Sequence, residues 1–299
     1  MRVSVSVPAT SANLGPGFDS FGIALELCNE VTVDTEAAAG VSWEGEGADE
    51  LPTDGTDMVS RTMASVAASM GMDLPSLAMH GVNRIPLARG LGSSSAAAVA
   101  GVVLASRILD LGIDGYHVEP ARRDVFSVFA QAAQIEGHPD NAAPAAFGGL
   151  TVVADGFVRR FDPHAALRPV VIVPTLRLET AAARRALPDT VPFGDAVFNL
   201  AHAALLVEAL TSDPELLRVC LRDRLHQDRR LALVPEVADV FSELRRRNIP
   251  VCLSGAGPSL LAFPLDGAPE ITHDLLDVPG DWKILPLEIR ADGFEVLDG

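Results

Sequence analysis

Two glycines and three serines stand directly before an alanine-rich run: Pro86-Leu-Ala-Arg89-Gly90-Leu91-Gly92-Ser93-Ser94-Ser95-Ala96, then Ala, Ala, Val and Ala. Glycine lets a backbone approach a ligand closely. A helix N-terminus adds about half a positive charge and several free N–H donors. The segment therefore predicts a phosphate-binding turn, with serine hydroxyls as further contacts and as a ligand for magnesium. The plainer alternative is a serine N-cap after a glycine turn. A serine-hydrolase elbow needs G-x-S-x-G, and Ala96 holds the place of its last glycine.

Three further segments carry side chains able to build a site. Pro8-Ala-Thr-Ser-Ala-Asn13-Leu-Gly-Pro-Gly17-Phe-Asp19 crowds polar and turn-forming residues behind an apolar strand. Alone it reads as a hairpin connection, although polar loops after core strands often carry function. Ser254-Gly255-Ala-Gly257-Pro-Ser259 is a second small-residue loop behind an apolar strand, Pro250–Leu253. Glu136 closes a predicted helix, where the negative end of the dipole opposes it by some tenths of a kcal/mol unless a cation compensates. That makes Glu136 a candidate metal carboxylate. His138 and Asp140, an H-x-D pair in a predicted loop, are read as structural, with no metal role.

The rest of the composition narrows the field. The 299 residues are 48% hydrophobic, enough for two domains with cores of their own. Forty acidic residues against 23 basic ones give a net charge of −17, which repels nucleic acid and anionic lipid. Lys283 is the only lysine, so neither a Walker A loop nor a protein-kinase strand lysine is present. Such a surface is expected of a salt-adapted protein; GC-rich coding is the other source of missing lysines. Cys28, Cys220 and Cys252 form no disulfide framework or zinc pattern, and a reducing cytoplasm is expected. The alternating start, Val3-Ser-Val5-Ser-Val7, is unlike a signal peptide. With no run of 18 apolar residues, no membrane-crossing helix is expected.

The elements that must position these groups follow from periodicity. Strands are predicted over 2–8 (stopped by Pro8), 23–27 with 30–35, 77–80, 150–154 and 170–173. Ala37–Asp57, rich in Gly, Asp and Glu, reads as hairpin connections. Helices are predicted over 58–69, 96–109, 121–136, 180–187, 195–210, 213–222 and 236–247, with Thr180 as an N-cap. Strands and helices mix without strict βαβ alternation, so the fold class is α+β.

The order PATSANLGPGFD, PLARGLGSSSAAA, SGAGPS resembles the three motifs of the GHMP small-molecule kinases, from Pro8 to Ser259. The first motif and Glu136-Gly-His-Pro-Asp-Asn141-Ala-Ala-Pro are similar to the homoserine kinase branch. The resemblance implies a ribosomal protein S5 domain 2-like N-terminal domain, 1–155, packed on a ferredoxin-like C-terminal domain, 156–299. It implies ATP held by Pro86, Arg89, Gly90, Leu91, Gly92, Ser93, Ser94, Ser95 and Ala96, with Mg2+ on Ser94 and Glu136. Asn141, with Asp140 beside it, would meet the acceptor hydroxyl. Asn13, Asp19, Thr180, Arg184, Arg230 and Gly255 would hold the amino-acid end. Asp228-Arg229-Arg230 departs from the family's commoner Pro-Tyr-Arg, which leaves Arg229 as an alternative to Arg230. Asp57 stands where family members commonly have Asn, so the resemblance assigns no nucleotide contact there.

The implied activity is ATP-dependent phosphorylation of the side-chain hydroxyl of L-homoserine to O-phospho-L-homoserine, for threonine synthesis. The alternatives are a mevalonate- or shikimate-type kinase of the same superfamily, or a catalytically silent binding protein of this fold. The expected partners are a small-molecule substrate and a second copy of the chain, with no nucleic acid and no membrane.

Overall fold

Val3, Val5 and Val7 turn inward along strand β1 (Arg2–Ala12), but from Val5 onward every residue of the strand is buried. The computed structural model describes residues 1–110 and 121–297. Pro8 does not end β1. It sits at a register shift against β2 (Phe21–Asp34), where a bulge makes the missing N–H tolerable. The two strands predicted over 23–35 are this one strand. Within the stretch expected as connections lies β3 (Gly40–Gly45), paired in parallel with β4 (Ala78–Asn83). Between them, α1 (Met58–Ser69) is capped by the Asp57 carboxylate, which accepts from Ser60 N at 3.0 Å.

Helix α2 (Ser93–Ile108) is buried from Ser95 to Ser106 apart from Ala97, as its alanine and valine content demands. It begins three residues earlier than predicted, so the serines lie inside its first turn. Helix α3 (Ala121–Glu136) is followed at once by α4 (Pro139–Phe147), where sequence reasoning placed a loop. Proline at the first helical position loses no bond, and Ala142, Ala143, Ala145 and Ala146 bury the helix. Asp140 and Asn141 therefore occupy a helix's first turn. The hairpin β5 (Leu150–Ala154) and β6 (Phe157–Phe161) joins the first sheet through β2.

The second half contains β7 (Val170–Val173), α5 (Thr180–Arg185), α6 (Phe193–Thr211), α7 (Leu217–Cys220), α8 (Gln227–Leu231) and α9 (Pro235–Arg246). Then come β8 (Val251–Leu253), β9 (Leu260–Ala262), α10 (His273–Leu276), β10 (Lys283–Pro286) and β11 (Glu295–Leu297). A 4-stranded antiparallel sheet runs β10-β7-β9-β8, and α9 buries Val237, Val240, Phe241 and Leu244 against it. The 7-stranded first sheet runs β11-β1-β2-β4-β3 with β5 and β6 off β2, so it takes in two strands beyond residue 155. Helix α6, 19 residues at a mean hydropathy of 1.3, is long and apolar enough to cross a membrane by length and composition alone, but Asp195, Asn199, His202 and Glu208 interrupt its apolar run.

Candidate active site

Three loops far apart in sequence close on one another. Ser254 Oγ donates to Gly90 O at 2.6 Å, Gly255 N donates to Ala12 O at 3.0 Å, and Asn13 Nδ2 donates to Gly255 O at 2.7 Å. Two glycines make the contact feasible. Gly90 and Gly92 have φ of 73° and 68°, and a Cβ on Gly90 would lie 2.2 Å from Ser254 O. Gly92, in the left-handed conformation, precedes α2 without a side-chain cap, so the serine N-cap reading fails.

Beside these loops lies a cavity of about 380 Å3. Every residue predicted for the site lines it except Ala96, which lines a smaller adjoining pocket with Trp43, Met58 and Asp57. The lining also includes Leu87, from within the Pro86–Ala96 motif, and Leu51, Met58, Ala97 and His138, which sequence reasoning did not select. Only His138 had a signal in the sequence, its place two residues after Glu136. Arg230 is buried on the cavity wall, whereas Arg229 is exposed. Arg89 reaches the rim, but its guanidinium donates to the backbone carbonyls of Leu87, Pro174 and Thr175, which makes it a brace under the turn. Thr180 is the first residue of α5 and Glu179 precedes it as the uncapped N-cap position, so the predicted Thr180 cap is absent.

At one end of the cavity, Glu136 Oε1 accepts from Ser94 Oγ at 2.7 Å and from His138 Nδ1 at 3.0 Å. Its Oε2 accepts from His138 N at 3.0 Å. Burial pushes the Glu136 carboxyl up, but the bonds from His138 and Ser94 outweigh it and hold the group below the usual range. The same contact raises His138. An ionised carboxylate beside a hydroxyl is a hard-oxygen donor pair suited to Mg2+. Among the described residues no three His, Cys, Asp or Glu side chains cluster to hold a metal by themselves. A cation here would have to share its coordination with a ligand's oxygens.

Deeper in, Thr10 Oγ1 donates to Asn141 Oδ1 at 2.9 Å, which leaves the Asn141 amide nitrogen as the group free to donate to a ligand. Asp140, 4% exposed, is pushed up to about 6 by burial and then by the neighbouring charge of Asp19. At the other end, Asn13 Oδ1 accepts from Asp19 N at 2.9 Å. The Asp19 carboxylate meets Arg184 in a two-pronged ion pair at 3.0 and 3.1 Å. Arg230 NH1 donates to Gly255 O and His226 Nδ1, each at 3.2 Å, and its Nε is buried with no hydrogen-bond partner. His226 is fixed by donating from Nε2 to Gly15 O at 2.8 Å and by stacking on Phe18 at 5.0 Å. Asp223 in turn accepts from Asn199 Nδ2 and from the backbone N–H groups of Leu225, His226 and Gln227, anchoring the turn that carries Arg230.

Residues 57–149 match the model for the GHMP kinases N terminal domain, and residues 203–277 match that for the GHMP kinases C terminal. The chain belongs to the GHMP kinase family. Within it, the chain is 41% identical to a homoserine kinase of Clavibacter michiganensis subsp. michiganensis, over 99% of this chain and 95% of that protein. It is 43% identical to a homoserine kinase of Streptomyces coelicolor, covering 99% and 94% of the two. A putative homoserine kinase structure from Listeria monocytogenes superposes with a TM-score of 0.76 at 32% identity, over 99% of each chain. The mevalonate kinase structure, at a TM-score of 0.69 and 10% identity over 97% and 99% of the chains, shares the GHMP kinase fold alone. The two-domain fold expected from the motifs is thus the fold of this family.

Proposed function

We propose that the chain transfers the γ-phosphoryl group of ATP to the side-chain hydroxyl of L-homoserine, forming O-phospho-L-homoserine. The observation that carries this reading is the acceptor end of the cavity: an Asp19–Arg184 ion pair beside a buried arginine whose Nε has no partner. An amino acid offers a carboxylate to Arg184 and Arg230 and an ammonium to Asp19. Mevalonate and shikimate carry a carboxylate but no ammonium, so they would compete with Asp19 for Arg184 and offer Asp19 no cation in return. The identity to the homoserine kinases named above supports the same assignment.

The chain's own groups divide the work. Backbone N–H groups of the Gly90–Ser95 turn, at the positive end of α2, suit the triphosphate. Ser94 and Glu136 would hold Mg2+, which when bound neutralises charge on the transferring phosphoryl oxygens. His138 holds Glu136 in place and ionised. The transition state is loose, so orienting the acceptor counts for more than deprotonating it early. Asn141, clamped by Thr10, and Asp140 would orient that hydroxyl. The setting we propose is the cytoplasm, with a second copy of the chain as protein partner.

ATP consumption measured with L-homoserine, mevalonate or shikimate as the sole acceptor tests the reading. Homoserine-dependent turnover is expected. Turnover on mevalonate or shikimate alone would reduce the assignment to the wider kinase family, and no turnover on any acceptor would favour a silent binding protein.

A further inference from the structure

Arg230 carries its charge into a place that is only 2% exposed, and its neighbours settle which way it points. His226, also buried, holds Nε2 2.8 Å from Gly15 O and Nδ1 3.2 Å from Arg230 Nη1. A carbonyl oxygen only accepts and a guanidinium only donates, so these two neighbours fix the ring. Nε2 carries the proton, and Nδ1 is a bare lone pair that accepts from Arg230. A ring protonated on both nitrogens would set N–H against N–H across that contact. Asp223, Arg230 and Asp19 are the charged groups that face the ring, and Asp223 Oδ2 stands 3.9 Å from Nε2, beyond hydrogen-bond reach. Burial pushes the His226 pKa down and outweighs the opposite pull of Asp223, with Arg230 adding to the fall.

This pairing occupies one corner of the guanidinium. Nη1 has two hydrogens, one for His226 Nδ1 and the other for Gly255 O, each 3.2 Å away. Nη1 lies on the Cδ side of the planar group, so the opposite edge consists of Nε and Nη2. Those two nitrogens point their hydrogens the same way, as a fork that meets a carboxylate with two bonds. Nε is buried with no hydrogen-bond partner among the described residues. Phe18 supports both groups: its ring centre is 5.1 Å from the Arg230 guanidinium carbon and 5.0 Å from the His226 ring. Arg230 lines the cavity and His226 does not.

We propose that His226 is a positioning residue for acceptor recognition: by accepting from Arg230 Nη1, its ring turns the Nε–Nη2 edge of the guanidinium toward the acceptor's carboxylate. This rests on the amino-acid acceptor proposed above. His226 touches no reacting atom, and its effect passes through Arg230. An arginine pinned at one corner has less freedom to lose when it grips a carboxylate. If the ring served only to fill space and to bond Gly15, Nδ1 would be dispensable.

Two amides separate these roles, since an Asn oxygen falls near the place of Nδ1 and a Gln nitrogen near that of Nε2. His226→Gln keeps the donor to Gly15 and removes the acceptor for Arg230, and His226→Asn does the reverse. Both lose the stacking on Phe18 alike, so their difference reports the acceptor. In steady-state kinetics on the full chain, His226→Gln should raise the KM for L-homoserine about tenfold or more, with the KM for ATP nearly unchanged. His226→Asn should stay within about threefold of the parent, and in an Arg230→Gln background His226→Gln should add less than about twofold. Ring-15N spectra of the unmutated chain should show His226 as the neutral Nε2–H tautomer at about pH 6.5, where an unperturbed histidine is half protonated. An Nδ1–H or doubly protonated ring would overturn the proposal without any variant. So would a Gln variant with the parent's KM, an Asn variant as impaired as the Gln one, or a full Gln effect in the Arg230→Gln background. A parent with no homoserine-dependent turnover would sink the kinase reading and this role with it, whereas an active parent with any of those results would overturn the role alone.

Discussion

Arg184 meets Asp19 as a fork, its two terminal nitrogens 3.1 and 3.0 Å from the two carboxylate oxygens. The site therefore holds an internal ion pair with the charges of the zwitterion it is proposed to bind. An entering amino acid exchanges one pair for two, with no net charge added to the cavity. A ligand with a carboxylate alone would take Arg184 and strand Asp19.

This relationship sets the first prediction. Both side chains are nearly half exposed, so solvent screening holds the loss on removing one partner to about 2 kcal/mol, roughly 30-fold. Asp19→Asn should raise the KM for homoserine by about that factor and leave the KM for ATP nearly unchanged. Arg184→Ala should do the same, and Arg184→Lys should rescue poorly because lysine lacks the planar fork. Steady-state kinetics with each substrate varied in turn give the answer. An Asp19→Asn enzyme as efficient on homoserine as its parent would remove the ion pair from substrate recognition.

Glu136 sets the second. Its oxygens are already oriented by Ser94 and His138, so Glu136→Gln keeps the shape and loses the charge. Losing such an electrostatic contact typically costs about 3 kcal/mol, a hundredfold or more in kcat. His138→Asn, which removes only the orienting group, should lose about tenfold. Both should keep the parent's thermal midpoint to within a few degrees. Parent-like turnover of Glu136→Gln at saturating Mg2+ would take the residue out of the site.

The third prediction concerns Asp140. Burial raises its carboxyl to about 6, so the folded chain holds that proton more tightly than the unfolded chain does. The stability this gives is complete below about pH 4 and is lost as pH rises through about 6; above that, keeping the ionised group buried costs about 3 kcal/mol. Asp140→Asn should therefore raise the thermal midpoint at pH 7.5 and change it little near pH 4, while lowering kcat. A variant less stable than the parent at pH 7.5 would mean that Asp140 is held by favourable contacts and not strained by burial.

The site's chemistry was more legible than the elements carrying it. The glycine–serine turn announced a helix N-terminus, yet serine's preference for caps hid that Ser93–Ser95 form the first turn of α2. His-Pro-Asp-Asn reads as a loop. Helix α4 exists because four alanines find a buried place, which no local pattern shows. Strand β3 is held by parallel pairing to a segment more than thirty residues away, and β11 returns from the end of the described chain to pair with β1. The Asp19–Arg184 and Thr10–Asn141 contacts depend on that folding. Side-chain type in the sequence pointed to what each group could bind, while only the fold shows which groups already bind each other.

The last prediction returns to the net charge of −17. If it reflects salt adaptation, repulsion among exposed carboxylates destabilises the fold in dilute buffer. The Debye length falls from about 8 Å at 0.15 M to about 3 Å at 1 M, so molar salt removes most of that repulsion. Salt also weakens exposed attractive pairs such as Lys283–Glu46 and Arg177–Glu50, which join the two halves of the chain beside the glycine–serine turn. Surface pairs contribute about 0–1 kcal/mol each, and the 17-charge excess outweighs them. The thermal midpoint should therefore rise clearly from 0.15 to about 1 M KCl. A flat or falling midpoint over that range would make coding bias the better account of the missing lysines.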